Sequence, residues 1–145
     1  MAFRELLRAP WWLWLAAFAV AALLGLEVGV ATNAAIGGLT ALGVSVGLGA
    51  GLHRSTLVLE VSDGELRAGA ARAPLSAFGS VVAHDPRTLR LRRGRDADPA
   101  AFLALRPWVH TAVELAVTDP TDPTPYWLVA TKRADELVAV LAKVP

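Results

Sequence analysis

The chain has 145 residues, is 54% hydrophobic and 19% charged, and has a mean hydropathy of +0.46, so it is short for two soluble domains and too apolar for an ordinary one. Its formal net charge of +1 argues against a protein that neutralises many nucleic-acid phosphates. Cysteine is absent, which excludes disulfides, thiolate metal sites and a cysteine nucleophile. These totals favour a membrane protein that does not bind nucleic acid.

The apolar residues are concentrated near the N-terminus. Between Ala9 and Leu52 the only ionisable residue is Glu27, which separates an apolar run of 18 residues from a run of 25. A helix needs roughly 20 apolar residues to cross the hydrocarbon core, where unpaired backbone groups find no water. We therefore predict a transmembrane hairpin, with spans at about 10–26 and 34–52.

Basic residues flank the two runs and predict their orientation. Arg4 and Arg8 precede the first run and His53 and Arg54 follow the second, and positive residues stay on the cytoplasmic side. We expect a multi-pass protein of the plasma membrane with both termini in the cytoplasm. A cleavable signal peptide is the alternative for the first run, and the second run argues against it. The predicted turn holds four residues that suit a turn better than a bilayer: Glu27, Gly29, Thr32 and Asn33.

Small residues recur at every fourth position of both spans. In lipid, helices associate where small side chains let their backbones approach each other. The repeats therefore predict packing between the two spans, and a homodimer through the same faces is the alternative. The residues of these two stripes are Ala17, Ala21 and Gly25 on the first span and Gly43, Gly47 and Gly51 on the second.

After the predicted N-terminal domain, 1–54, the sequence changes to that of a soluble domain, 55–145, with eleven basic and eleven acidic residues. Apolar and polar residues alternate on both sides of Asp63-Gly64, which predicts a β-hairpin. Other alternating stretches, including "TLRLRR" and "AFLALRPWV", bring the strands to about six or seven. The last segment has apolar residues at helical spacing and predicts a helix at about 134–143. We expect an α+β fold in which this helix caps a small antiparallel barrel or bent sheet.

Four segments carry a resemblance to a known family: "FRELLRAPWWLWL", "VSDGELRAG", "DPAAFLALRPWV" and "TDPTDPTPYWLVATKRADEL". They resemble small actinobacterial membrane proteins grouped as a domain of unknown function, and the most specific element is Asp-Pro-Thr-Pro-Tyr-Trp at Asp122 to Trp127. The resemblance implies two N-terminal spans and a cytoplasmic domain, but no reaction. Where that family usually has Ser-Thr-Arg-Arg-Pro, this chain has Ala130 to Ala134, without the proline. The order of strands and helix is also similar to that of bacterial pleckstrin-homology domains, a likeness of fold alone.

No pattern in the sequence predicts a metal, a cofactor or catalytic residues. The three histidines, His53, His84 and His110, lack the spacing of a His-x-x-x-His or Glu-x-x-His metal site. His84 is followed by Asp85 and a proline, which predicts a turn rather than a catalytic pair. A glycine-rich phosphate loop is also absent from the sequence. We therefore expect a protein that is not an enzyme.

Two segments are candidate contact surfaces, and the first, Arg87 to Arg95, holds five arginines in nine residues. We predict a strand here, with arginines on the face opposite its leucines. Arg90, Arg92 and Arg93 are candidate contacts to anionic lipid, each contributing about 1 kcal/mol if the face lies near the inner leaflet. An edge strand kept soluble by its charges is the alternative.

The second segment is the proline-rich stretch Thr118 to Pro125. Its aspartates can bond to nearby backbone N–H groups and its prolines restrict the backbone, which predicts a rigid hairpin connector rather than a calcium loop or an enzyme site. Partner recognition by this connector is the alternative. We expect Tyr126 and Trp127 to pack on opposite faces of the strand that follows. The candidate contacts of this region are Arg106, Trp108, Asp119, Asp122, Tyr126 and Trp127.

Taken together, the patterns predict a membrane protein that works by contact. It would either act as a scaffold for a membrane or cytoplasmic protein partner or sense anionic lipid at the inner membrane surface. An enzyme is a weaker alternative because the sequence displays no set of converging polar residues. A small transporter subunit is weaker still, since two glycine-rich spans without interior charge form no convincing ion path.

Overall fold

The computed structural model describes residues 3–143, so the outermost residues of both predicted domains lie outside the described part of the chain. Two compact units are present. The helical unit is Arg8–Thr56, and the β-rich unit combines the residues up to Leu7 with those from Leu57 onward.

The β-rich unit begins with a strand that precedes both helices. β1 (Phe3–Leu7) pairs antiparallel with β2 (Leu57–Ser62), and Leu7 lies opposite Leu57. Alternate side chains of β1 are buried. The sequence pattern does not predict this strand, and its residues fall within the predicted N-terminal domain, 1–54. Five residues before a long apolar run give an alternation of polar and apolar residues that is too short to indicate a strand. The helical unit is therefore an insertion between two paired strands.

The helical unit consists of α1 (Trp11–Ala31) and α2 (Ala34–Arg54). Each helix has 21 residues and is long and apolar enough to cross a membrane. Both predicted helices are present, but α1 continues through Glu27 and Gly29, which were predicted to lie in the turn. A single glutamate or glycine does not end a helix that is otherwise rich in Ala and Leu.

The turn between the helices is reduced to Thr32 and Asn33. Asn33 begins α2 as its N-cap, since its Oδ1 accepts hydrogen bonds from the N–H groups of Ala35 (3.1 Å) and Ile36 (3.0 Å). The capping side chain satisfies backbone donors that would otherwise have no partner at the start of the helix.

The closest approach of α1 and α2 lies near this turn. A Cβ atom added to Gly37 would lie 2.5 Å from the carbonyl oxygen of Gly25 and 2.6 Å from the Cα of Gly29. Ala21 and Gly25, from the predicted stripe on the first span, are buried. The predicted packing between the helices is therefore present, and on α1 it uses residues of the predicted stripe.

The predicted stripe on the second span does not contact α1. A Cβ atom added to any of its three glycines would have no neighbour within 4 Å. At Gly43 the geometry of the helix explains the error: Gly43 follows Gly37 by six residues, which is about 240° around the helix axis, so it points away from the contact. The residues concerned are Gly43, Gly47 and Gly51.

The first of two four-stranded sheets in the β-rich unit has the order β1-β2-β3-β4, with β3 at Glu65–Ala68 and β4 at Ala71–Pro74. All its neighbouring strands are antiparallel. The hairpin predicted at Asp63-Gly64 is confirmed. Asp63 has φ +53° and Gly64 has φ +77°, the left-handed values that a tight two-residue hairpin turn requires.

The second sheet has the order β5-β7-β8-β6. Its strands β5, β7 and β8 are antiparallel neighbours, whereas β6 runs parallel to β8. The predicted α+β class is confirmed, but of the two predicted forms, a small antiparallel barrel or a bent sheet, the closed barrel is not formed by the described strands, and one strand pair is parallel. A short 3₁₀ turn, Leu75–Ala77, precedes β5. The strands are β5 (Phe78–His84), β6 (Phe102–Ala104), β7 (Ala112–Val117) and β8 (Tyr126–Ala130).

Two helices complete the β-rich unit. The predicted C-terminal helix is present as α4 (Ala134–Leu141). The predicted strand "TLRLRR" is wrong, because this segment forms α3 (Pro86–Arg93). Asp85 caps α3, with its Oδ1 accepting from the N–H groups of Arg87 (3.0 Å) and Thr88 (2.7 Å), and Pro86 occupies the first turn. These start signals outweigh the short alternation of Leu and Arg.

The main core lies between the two sheets and α4. It includes Leu59 and Leu66 of the first sheet, Leu115 of the second sheet and Leu137 of α4, all fully buried. A smaller core lies on the other face of the second sheet, where Leu89 of α3 packs with Ala112, Tyr126 and Leu128. Because β8 faces both cores, all five of its residues are buried.

Candidate contact surface on the third helix

Glu114 of β7 lies at the centre of a polar cluster beneath α3. Its carboxylate accepts two hydrogen bonds from the guanidinium of Arg92, from Nε at 2.7 Å and from Nη2 at 2.6 Å. Nε2 of His84 lies 2.9 Å from the same carboxylate. The two parallel bonds from one guanidinium form a fork, which fixes the orientation of both side chains.

The electrostatics of this cluster follow from the pairing. Burial alone would raise the pKa of Glu114, but hydrogen bonds and positive charge from Arg92 and His84 outweigh it and lower the pKa below the ordinary 4.5. The hydrogen bond to Glu114 raises the pKa of Arg92. The Arg92 guanidinium also lies 4.1 Å from the centre of the Tyr126 ring, a cation–π contact. Arg92 is thus held within the fold and is not a free contact residue.

The other two predicted arginines of α3 behave differently. Arg90 and Arg93 are exposed, and neither forms an ion pair with another of residues 3–143. Together with Pro86, Leu89 and His110 they line an open cavity of about 460 Å³. The sequence predicts the two arginines as contacts but not His110, which only the packing of α3 beside the start of β7 brings to them. No local pattern in the sequence signals that proximity.

The proline-rich connector between β7 and β8 forms as predicted. Oδ1 of Asp119 accepts from Oγ1 (2.7 Å) and N (2.9 Å) of Thr121, and Oδ1 of Asp122 accepts from N of Thr124 (2.8 Å). The side-chain bond from Thr121, followed by the backbone bond, lowers the pKa of Asp119. Both aspartates therefore bond within the connector itself, in agreement with a stiff hairpin connection.

The structure separates two groups of residues that are predicted to lie near each other, namely Arg106 and Trp108 on one side and the connector on the other. In the parallel pair, Phe102 of β6 lies opposite Trp127 and Ala104 lies opposite Val129. Arg106 and Trp108 follow β6 and so lie near the end of β8, whereas the connector joins β8 at its start. The predicted proximity of Arg106 and Trp108 to the connector is therefore wrong.

Of these two residues, Trp108 is half-buried against the main core. Its Nε1 is buried and has no hydrogen-bond partner among the described residues. Arg106 is also half-buried, and its Nη1 donates to the carbonyl oxygen of Leu105 (2.7 Å). Both side chains thus pack along the edge of the second sheet.

Tyr126 and Trp127 lie on opposite faces of β8, as predicted. The Trp127 ring packs in the main core, with ring centres 5.3 Å from Phe78 and 4.4 Å from Phe102. Tyr126 belongs to the smaller core, and its hydroxyl accepts a bond from the N–H of Asp98 (3.1 Å). With exposures of 5% and 8%, both aromatic side chains serve packing rather than surface contact.

A second polar cluster, which no pattern in the sequence predicts, joins β1 to the segment before α4. The carboxylate of Glu5 accepts from Oγ1 of Thr131 (2.5 Å) and from N of Lys132 (3.1 Å). Glu5 is 9% exposed and Thr131 is fully buried. The cluster lies in the Ala130 to Ala134 stretch and links the two ends of the β-rich unit.

Comparisons with known proteins give one match. The model of a family described as "Protein of unknown function (DUF3093)" matches residues 2–141. No curated protein matches the chain, and neither does any solved structure. The resemblance to a family of unknown function is thereby confirmed over nearly the whole chain.

Proposed function

The chain belongs to the DUF3093 family of unknown function, and we propose that it is an integral membrane protein whose β-rich unit is an interaction module. In this proposal α1 and α2 span the plasma membrane and the β-rich unit lies on its cytoplasmic side. The module acts by contact, without catalysis, as a scaffold for a protein partner that is itself at the membrane surface.

The surface of the two helices supports membrane insertion. Most of the large apolar side chains that are exposed in residues 3–143 belong to α1 and α2, and within these helices only three small residues are buried. Exposed apolar surface costs roughly 25 cal/mol per Å² in water, and this cost disappears in hydrocarbon. The large apolar residues exposed outside the helical unit are Leu6, Val82, Leu91 and Leu103.

The pairing of β1 with β2 is the observation that carries the proposal. Leu7 and Leu57 are opposite each other in one sheet, so the chain leaves for α1 and returns from α2 at adjacent points. Two antiparallel spans meet this requirement and keep both ends on the same side of a bilayer. Cleavage of the first apolar run as a signal peptide would remove β1, including the buried Phe3 and Leu7. The basic residues at both ends of the hairpin favour the cytoplasmic side.

The exposed arginines of α3 support a contact role for the β-rich unit. Arg90 and Arg93 carry positive charge that has no carboxylate partner among the described residues. An acidic protein surface would complement them and would accelerate association. Anionic lipid is the alternative occupant, because a domain tethered to the bilayer meets a negatively charged surface worth about 1 kcal/mol per cation near it.

We take Asp122 to Trp127 as a signature of the family and actinobacteria as its source. A relation to pleckstrin-homology domains is supported by the chain order, since a four-stranded antiparallel sheet is followed by a second sheet and a C-terminal helix.

Crosslinking in native membranes followed by mass spectrometry tests the contact role. We expect reproducible partner crosslinks with the wild-type chain, and their loss with Arg90→Glu/Arg93→Glu. The matched control is Arg72→Glu/Lys143→Glu, which makes the same change in charge at exposed positions away from α3. Arg92 is left intact because its removal would disrupt the Glu114 cluster. The absence of any partner above background, or equal crosslinking by both double variants, would contradict the proposal.

A further inference from the structure

We propose that the cavity beside α3 binds a phosphate group through Arg90, Arg93 and His110. The inference goes beyond the proposed function, because it names a phosphate ligand for arginines that the proposed function offers to an acidic protein surface, or in the alternative to anionic lipid. It rests on the proposed function in one respect only, which is that the β-rich unit binds its ligand on the cytoplasmic side of the membrane.

The cavity is built by one face of α3 and the chain just before β7. Pro86, Leu89, Arg90 and Arg93 have the i, i+3, i+4 and i+7 spacing that places residues on one side of a helix. His110, from the chain just before β7, also lines the cavity. Its volume of about 460 Å³ lies within the range of roughly 300 to 1,000 Å³ typical of small-molecule sites.

The charges around this cavity are unbalanced. A second cavity at α3 is lined by His84, Arg92, Asp96 and Glu114, so its basic groups have carboxylate neighbours. Among residues 3–143, no carboxylate lines the cavity of Arg90, Arg93 and His110. Two neighbouring guanidinium groups repel each other. An anion bound between them would attract both groups and so offset their repulsion. The arrangement therefore favours an anionic ligand.

The donor set matches a phosphate group better than a carboxylate. A guanidinium presents a planar fork of N–H donors that fits two phosphate oxygens. Nε of Arg90 donates to the carbonyl oxygen of Pro86 (3.4 Å), so Arg90 offers its two Nη groups to a ligand, next to the guanidinium of Arg93. The imidazole of His110 adds a further donor for a remaining oxygen. Leu89 and Pro86 supply an apolar wall against which the carbon part of a phosphate ester can lie.

The site is also held in place before a ligand binds. Leu89 is 3% exposed and anchors α3 to Ala112 of β7, only two residues beyond His110. Asp85 fixes the first turn of α3 through its capping bonds. A helix backbone that is already fixed loses less entropy on binding, which favours affinity.

Binding is tested on the full-length chain in nanodiscs of zwitterionic lipid by isothermal titration. The probes are inorganic phosphate and a soluble short-chain phosphatidic acid. We expect saturable binding by the wild type and by the control Arg72→Gln/Lys143→Gln. Arg90→Gln/Arg93→Gln should weaken the affinity by about tenfold or more, since hydrogen bonds to charged groups are lost, and His110→Ala should weaken it less.

The two probes distinguish the source of the phosphate. Equal affinity for both identifies a soluble phosphate compound, and tighter binding of phosphatidic acid identifies a lipid headgroup; either result supports the site. If the double variant does not retain the circular dichroism of the wild type, Arg93→Gln alone takes its place. The proposal is overturned if the wild type shows no saturable binding of either probe, or if a folded arginine variant binds as tightly as the control. Neither of these binding results depends on membrane topology or on a protein partner. The phosphate site can therefore be disproved while the proposed function stands, and the reverse is also true.

Discussion

The helical unit and the β-rich unit place their apolar side chains in opposite ways. In the helices the large apolar residues point outward and the buried residues are small, whereas in the β-rich unit Leu59, Leu115 and Leu137 are fully buried between the sheets. Apolar side chains are therefore suited to a different environment in each unit. One unit is stabilised by removing apolar surface from water within itself, and the other suits a solvent that is itself apolar.

Truncating one leucine in each unit tests this contrast most strongly. Leu128→Ala, at a position with 0% exposure, should lower the free energy of unfolding by about 2–5 kcal/mol, because the cavity it leaves cannot fully collapse. Leu39→Ala, at a position with 70% exposure on α2, should change it by less than about 0.5 kcal/mol in detergent. Urea unfolding of the full chain in detergent measures both, and equal losses would contradict the contrast.

The contact between α1 and α2 predicts the next effect. Gly37→Ala should destabilise the hairpin by about 1–3 kcal/mol, because the added methyl group would overlap the backbone of α1. Gly43→Ala is the control, since a Cβ atom there has no neighbour within 4 Å. Unfolding of the helices in mixed micelles with rising SDS checks the difference. Equal tolerance of both substitutions would mean that the helices do not pack at Gly37.

The Glu114 cluster makes the stability of the β-rich unit depend on pH. Since the pKa of Glu114 is lower in the folded chain, its contribution is complete above about pH 4.5 and is lost as the pH falls through the lowered value. At pH 7, Glu114→Gln should cost about 1–3 kcal/mol, because Arg92 and His84 lose a charged partner. This cost should shrink in acid.

Unfolding midpoints of the wild type and Glu114→Gln between pH 7 and pH 3 measure this convergence. Glu65→Gln, at an exposed position of β3, is the matched control and should follow the wild type throughout. A difference between wild type and Glu114→Gln that stays constant with pH would show that the carboxylate is not paired.

The stiffness of the connector predicts the smallest effect. Pro123→Ala should lower the free energy of unfolding by about 0.4–1 kcal/mol, because the unfolded chain gains conformational freedom while the connector bonds of Asp119 and Asp122 persist. Denaturant unfolding measures the change. A loss well above this range would indicate that Pro123 makes contacts beyond the connector.

The features that the sequence predicts are those set by neighbouring residues. The turn at Asp63-Gly64, the two apolar helices and the bonded aspartates of the connector all depend on short-range patterns. The alternation of Leu and Arg in α3 predicts a strand, although Asp85 and Pro86 at its start carry a helix start signal.

The features that the sequence does not predict depend on distant residues. β1 is recognisable only through its pairing with β2, about fifty residues later along the chain. His110 joins Arg90 and Arg93 only because Leu89 packs against β7. Glu5 and Thr131 come from opposite ends of the sequence. A single sequence contains no signal for such long-range contacts, since each contact depends on the packing of the whole unit.

Labelling of single cysteines tests the membrane arrangement directly, because the natural chain contains none. Thr32→Cys lies in the turn between α1 and α2, and Ser80→Cys lies at an exposed position of β5. In intact spheroplasts we expect a membrane-impermeant maleimide to label Thr32→Cys at once and Ser80→Cys only after permeabilisation. Labelling of Ser80→Cys in intact spheroplasts, or recovery of the full chain in the soluble fraction without detergent, would contradict two spans with a cytoplasmic β-rich unit.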